Sequence, residues 1–220
     1  MTTDLKFSRQ TGILDPEDIK SEGVLVIGAG GIGSWVVDSI TRVGFEDVTV
    51  YDNDEVEEGN RGTQLYRKQD VGKQKVNALK EVIRDFSDVE IDGKNELYDG
   101  QEFREIVICT VDSMEARHKI WAKIKMNPAV MRYVDARMGK EQMDIYTINP
   151  TDIDDIKLYE AELHLPEEAT PVPCSEKAIA YNVKVISGLV MSNLKKFILN
   201  GSHHRKVVFD LKTMVMILKQ

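Results

Sequence analysis

The sequence predicts an α/β fold: a doubly wound, mostly parallel sheet with antiparallel strands at its C-terminal end. Three observations predict it. Short β-branched runs alternate with segments of helical period along most of the 220 residues. The first run, Val24-Leu25-Val26-Ile27, leads straight into Gly28-Ala29-Gly30-Gly31-Ile32-Gly33 and a helix. The second, Val48-Thr49-Val50-Tyr51, ends on the acid Asp52. Strand, glycine turn, helix, second strand and terminal acid, in that order, make up the Rossmann-like arrangement that binds a nucleotide.

Residues 1–23 read as a short arm and helix, with Asp15 as cap and Pro16 at the first helical position. The apolar run Val24–Ile27 has the signature of a buried parallel strand. Gly28 permits the tight turn, Gly30 leaves no side chain between backbone and phosphate, and Gly33 lets the helix pack closely on the strand. The helix from about Gly31 to Val43 then points its free N–H groups at the phosphates. After the strand at Val48–Tyr51 comes a helix over Gly72–Phe86 and a weaker strand near Val89–Ile91. Strand Ile106–Thr110, helix Ser113–Lys125 and strands Arg132–Ala136 and Met143–Ile148 follow.

Asn149 to Pro173 breaks the alternation. It holds Pro150, Pro166, Pro171 and Pro173 with a cluster of acids and no sustained apolar period, so residues 149–175 are expected to form a crossover loop. Ile179, Val183, Ile186, Val190, Leu194 and Phe197 then recur at helical spacing, and Val207–Asp210 with Met214–Leu218 reads as a hairpin added to the sheet. One domain over residues 1–220 is expected.

Composition narrows the classes. Apolar residues make up 42% and charged residues 30%, as in a soluble globular protein with a sizeable core. A net charge of −8 argues against a nucleic-acid-binding surface. No apolar run is long enough to span a bilayer and no basic-then-apolar N-terminus is present, so a cytoplasmic location is expected. Cys109 and Cys174 are too few for a disulfide framework or a four-cysteine zinc site. Of His118, His164, His203 and His204, only the adjacent last two are close in sequence, and they read as a polar turn.

Past the glycine turn the chain carries Asp52-Asn53-Asp54-Glu55-Val56, then Asn60-Arg61-Gly62-Thr63-Gln64, then Val71-Gly72-Lys73-Gln74-Lys75. These carboxylates, amides and lysine point to ATP and to adenylation of a carboxylate. Together the segments resemble the ThiF/MoeB/HesA family, the bacterial and archaeal relatives of ubiquitin-activating enzymes. Ser8-Arg9-Gln10 is similar to that family's R-Y-x-R-Q arm, and Gly28 to Ser34 to its G-x-G-G-x-G-S turn. Asp52 to Val56 matches D-x-D-x-V, Asn60 and Gln64 match the ends of N-x-x-R-Q, and Val71 to Lys75 matches V-G-x-x-K. Cys109-Thr110-Val111-Asp112 with Arg117 resembles C-T-D-x-x-x-x-R.

The resemblance implies that a carboxylate attacks the α-phosphate of ATP, giving an acyl-adenylate and pyrophosphate, with Mg²⁺. It implies that Asp52 binds the ribose, that Lys75 and Asn60 contact the phosphates, and that Asp112 ligates the metal. Gly28, Gly30, Gly31, Gly33, Asp54, Arg61 and Gln64 complete the nucleotide site. The resemblance further implies that Arg9 would reach across a homodimer interface to the γ-phosphate, as an arginine finger does. The carboxylate would be the C-terminus of a ubiquitin-like or sulfur-carrier protein, a peptide, or a small molecule of cofactor or natural-product biosynthesis. On the residues alone, Lys75 also reads as a solvated helix lysine and Asp112 as an N-cap partner of Ser113.

Three departures qualify the resemblance. Thr63 stands where the family has an arginine, and Arg61 is the nearest replacement charge. Paired C-x-x-C motifs are absent, so no structural zinc is expected. At 220 residues a separate catalytic-cysteine or ubiquitin-fold domain is not expected, and the expectation is a minimal adenylation domain. Cys174 precedes the last helix, where sulfur-transferring members carry a cysteine; it reads either as a thiol that attacks the adenylate or as a residue without catalytic part. Cys109, ending an apolar strand, reads as a buried small hydrophobe. Two other classes use the same turn. An NAD-dependent oxidoreductase needs it with Asp52 but gives Asn60, Gln64, Lys75 and Asp112 no part. A non-catalytic nucleotide-binding partner of the same fold is favoured only by Thr63.

Overall fold

Val24–Ile27 forms β1, buried at all four residues, as an apolar run between two parallel neighbours must be. The computed structural model describes residues 5–10, 12–164, 178–200 and 203–220. From β1 the chain passes through α1 (Gly31–Val43), β2 (Val48–Tyr51), α2 (Lys75–Ser87) and β3 (Asp92–Lys94). It crosses back to β4 (Ile106–Cys109), α3 (Met114–Ile124), β5 (Arg132–Gly139) and β6 (Gln142–Ile148). Then come α4 (Ile153–Glu160), α5 (Ala180–Asn200), β7 (Lys206–Asp210) and β8 (Val215–Lys219).

These strands form one sheet in the order β3-β2-β1-β4-β5-β6-β7-β8. Pairing is parallel from β3 to β5 and antiparallel from β5 to β8, so the expected doubly wound sheet with antiparallel C-terminal strands is found. The chain builds outward from β1 to β3, then returns to lay β4 on the other side of β1. That reversal opens a crevice beyond the carboxyl ends of β1 and β4, where sheets of this kind bind ligands.

Strand alternation divides the core in two. Val24 and Val26 pack with Ile32, Val36, Leu79 and Ile186 beneath α1, α2 and α5. Leu25 and Ile27 face Val107, Trp121, Tyr133 and Tyr159 beneath α3 and α4. Burying a large aliphatic side chain contributes about 1.5–3 kcal/mol, so these two faces hold the helices on the sheet. No helix among the described residues is long and apolar enough to cross a membrane.

Four expectations are corrected. α2 begins at Lys75 rather than Gly72, because Gly72 has φ +85° and the chain up to Gln74 first pairs with Glu55 in an isolated antiparallel bridge. The third strand is Asp92–Lys94, not Val89–Ile91; Val89 and Ile91 sink into the core while the next three residues pair with β2. The segment from Asn149 is not wholly irregular. It contains α4, capped by the Asp152 side chain accepting from Asp154 N and Asp155 N, each at 2.9 Å, with Ile156 and Tyr159 buried. In the N-terminal arm the Asp15 cap is present, but Pro16–Asp18 is a single 3-10 turn. Residues 165–175 of the expected crossover, Cys174 among them, lie outside the described residues.

Candidate active site

Three turns meet at the carboxyl ends of β1, β2 and β4. In the first, Gly28 adopts φ +99°, and its carbonyl accepts from Thr110 Oγ1 at 2.8 Å. A Cβ on Gly33 would lie 1.9 Å from that carbonyl oxygen, so only glycine lets α1 start this close to β1. Tyr66 Oη donates to the Ala29 carbonyl at 2.8 Å and pins the middle of the turn. Gly30 caps α1 without any side-chain hydrogen bond, and a Cβ there would meet nothing within 4 Å. The first turn of α1 therefore offers its N–H groups and positive dipole end to open space, the arrangement that suits an anion.

The second turn fixes Asp52. Its Oδ2 accepts from Ala29 N at 2.7 Å and its Oδ1 from Asp54 N at 2.9 Å. The Glu55–Gln74 bridge, with Lys75 N donating to Asp54 O at 2.9 Å, brings the start of α2 against this turn. Lys75 is buried, its Nζ 2.6 Å from Asp54 Oδ2 and 3.9 Å from Asp52 Oδ1. It is not the solvated lysine that its helix position alone allows. Asp54 is well exposed, so of the two partners it is the one free to swing away.

The stretch from Glu58 to Tyr66 covers the glycine turn. Asn60 closes a capping box in the 3-10 helix Glu58–Gly62, its Oδ1 accepting from Glu57 N at 2.9 Å. Arg61 is ion-paired with Glu58 of the same helix. The expected replacement charge is thus engaged locally. Ser34 Oγ accepts from Leu65 N at 3.1 Å, and Trp35 Nε1 donates to Thr63 O at 2.8 Å, tying this stretch to α1. Gln64 Oε1 is shut from solvent with no donor.

The third turn, after β4, presents Asp112, exposed just before Ser113 caps α3 by accepting from Ala116 N at 3.2 Å. Behind it lies a buried charge cluster. Arg117 donates through Nε to Asp135 Oδ1 at 2.9 Å and through Nη2 to the Val111 carbonyl, which braces the residue next to Asp112. Asp135 Oδ2 accepts from Arg137 Nε at 2.7 Å and Tyr159 Oη at 2.9 Å. Burial works to raise the Asp135 pKa, but Arg117 and Arg137 outweigh it and hold the carboxyl below its usual range. Burial also pushes the Cys109 thiol up to about 11, in keeping with a small core residue rather than a nucleophile. Of this cluster, sequence reasoning found only Arg117. An acid in an apolar strand two residues before an arginine was the available signal for Asp135 and Arg137. Nothing local marked Tyr66, whereas Thr110 falls within the segment Cys109-Thr110-Val111-Asp112.

The structure therefore brings together Gly28, Gly30, Gly31, Gly33, Asp52, Asp54 and Lys75 at the head of α1 and α2, with Asn60, Arg61 and Gln64 beside them and Asp112 on the neighbouring turn. Arg9 is not among them. Its arm is fastened by Gln10 Nε2 to the Val43 carbonyl at 2.6 Å and by Lys6 to the Ser87 carbonyl, at the C-terminal ends of α1 and α2. That is the far end of a 13-residue helix, about 20 Å from the glycine turn of its own chain. No cluster of three metal-binding side chains occurs among the described residues. A cavity of about 440 Å³ lined by Val130, Arg132, Asn149 and Phe197 opens at the amino end of β5, the wrong end of the parallel sheet for a nucleotide.

A parallel sheet reversing at a glycine turn defines a Rossmann-type α/β protein. The particular family is shown by the family model described as the ThiF family, which matches residues 4–217, and the chain belongs to that family. Over 85 residues the chain is 40% identical to tRNA threonylcarbamoyladenosine dehydratase 2 of Saccharomyces cerevisiae, covering 37% of this chain and 19% of that protein. Over 133 residues it is 30% identical to the NEDD8-activating enzyme E1 catalytic subunit of Caenorhabditis elegans, covering 55% and 29%. These matches span less than a third of either relative. Among solved structures, E. coli MccB with ATP superposes with a TM-score of 0.75 at 17% identity, over 99% of this chain and 71% of that one. PaaA gives 0.74 at 20% identity, over 93% and 65%. At such identities the likeness is one of fold.

Proposed function

We propose that the chain is an ATP-dependent adenylyltransferase that activates a carboxylate as an acyl-adenylate with release of pyrophosphate. The observation that carries this reading is the junction of an uncapped α1 N-terminus with an oriented Asp52 and a buried Lys75. The turn gives the phosphates N–H donors. Asp52, held on both oxygens by backbone N–H groups, keeps a fixed edge toward the ribose. Lys75 exchanges the exposed Asp54 carboxylate for phosphate oxygen, so its ammonium passes from one anion to another without being left bare in a buried site. Preorganisation of this kind is what stabilises charge developing on the phosphates.

Asp112 stands on the adjoining turn with its backbone braced by Arg117. A single exposed carboxylate suits Mg²⁺, which keeps waters and substrate phosphates in its shell, and the ion there would neutralise charge on the phosphates. Arg9, anchored at the far end of its own α1, serves in this reading the site of a second copy in a two-fold homodimer. Cys174 stays a proposal as the thiol that receives the acyl group. MccB with ATP and relatives that activate ubiquitin-like proteins support ATP as cosubstrate and a protein or peptide C-terminus as the carboxylate, with a small molecule as the variant.

The nucleotide is tested by calorimetric titration with ATP and Mg²⁺ and, separately, with NAD. Saturable ATP binding that NAD does not match is expected. Equal or tighter binding of NAD would replace this reading with the oxidoreductase.

A further inference from the structure

The last helix brings one more cation to the glycine turn. A Cβ on Gly31 would lie 3.4 Å from Val183 Cγ1, so the first turn of α5 stands against the first residue of α1. The next residue, Lys184, sets its Nζ 4.9 Å from the centroid of the Trp35 ring. Trp35 is the residue whose indole N–H fastens the Thr63 carbonyl over the turn. The crossing is locked a turn further on, where Ser187 Oγ donates to the Trp35 carbonyl at 2.8 Å and sits 2.8 Å from Ser39 Oγ. Lys184 is therefore placed by packing, although its side chain is exposed.

What distinguishes this lysine is its pairing. Lys75 is held by Asp54 and Arg61 by Glu58, so an arriving polyphosphate must break an ion pair to gain either. Lys184 rests on an aromatic face and has no carboxylate partner among the described residues. In a chain of net charge −8, that leaves its charge unopposed toward a polyphosphate. An ammonium over a half-buried ring at the surface is weakly held, and its flexible stem lets it leave the ring for phosphate.

We propose that Lys184 receives the phosphate tail of the nucleotide at the head of α1, with the Trp35 ring as its resting place in the free protein. The assignment rests on the nucleotide reading above and adds a residue from the far end of the chain to it.

Tryptophan fluorescence reads the event directly. Trp121 lies in the opposite core and donates to Glu160, so a Trp35→Phe control isolates the Trp35 signal. ATP and AMP are titrated into the wild type, Lys184→Gln and Lys184→Arg. Lys184→Gln should weaken ATP binding about tenfold while leaving AMP unchanged, and the gap should narrow as salt is added. Lys184→Arg should recover most of the loss. The ATP-induced change should vanish in Trp35→Phe. Unchanged ATP binding in Lys184→Gln, or equal weakening of ATP and AMP, overturns the assignment alone. A wild type that binds neither nucleotide overturns the nucleotide reading and the assignment with it.

Discussion

Asp135 sits fully buried between the guanidinium groups of Arg117 and Arg137 and accepts a third bond from Tyr159. Removing the carboxylate leaves the buried Arg117 and the partly buried Arg137 without their anion, and breaking a buried pair typically costs about 3–5 kcal/mol. Asp135→Asn should therefore lower the urea midpoint sharply at neutral pH. The folded-state pKa of Asp135 lies below its ordinary value, so its stabilisation is complete above that value and is lost as pH falls through the lower folded one. Wild-type stability should fall steeply below about pH 4, and the Asn variant should show a shallower acid limb. Parallel acid limbs would mean that Asp135 is not the group that titrates. The same cluster reaches Val111 beside Asp112, so it serves the site as a brace as well as the core.

At the scale of elements, the head of α1 depends on Gly33. A methyl at that position meets backbone rather than a movable side chain, 1.9 Å from the Gly28 carbonyl oxygen. Gly33→Ala should destabilise the fold by at least the roughly 1–3 kcal/mol usual for overpacking and abolish nucleotide binding in whatever protein remains folded. Wild-type affinity in a folded Gly33→Ala protein would refute the turn as the phosphate site. α2 carries a different signature. It starts on Lys75 with no acid in its first turn, a cation where the helix dipole favours an anion. A local rule broken there and compensated by Asp52 and Asp54 is the kind of exception a functional residue makes.

The same contrast explains what the sequence revealed of each element. β1, β2 and β4 were readable because buried parallel strands must be short apolar β-branched runs, and Asp52 because it ends one of them. β3, an Asp-Gly-Lys edge segment, joins the sheet through its backbone alone and carries no apolar signal. α4 was hidden because acids fill its first turn and only Ile156 and Tyr159 commit to the core. Of the site, the glycine turn, Asp52, Lys75 and Asp112 were marked by their neighbours in sequence. Tyr66 and Asp135 were not, because each acts on the site across the fold.

At the scale of the whole molecule, the position of Arg9 bears on assembly. Arg9 is anchored at the opposite end of α1 from the turn it is expected to serve, so within one chain it has no route to the phosphates. A two-fold dimer gives each copy an Arg9 from the other. Dimers mixed from Arg9→Ala and Asp112→Ala protomers should then recover part of the activity each lacks alone, since one site keeps both groups. That comparison is made in the assay that bears most directly on the proposed chemistry, exchange of labelled pyrophosphate into ATP in the presence of Mg²⁺ and candidate carboxylates. Exchange requires reversible formation of an acyl-adenylate, so neither a binding module nor an oxidoreductase supports it. The expected result is carboxylate-dependent exchange that Asp112→Ala abolishes and Cys174→Ala leaves nearly intact. ATP binding without exchange for any carboxylate, in protein whose dimeric state is established, would contradict adenylation and leave a non-catalytic partner of the same fold.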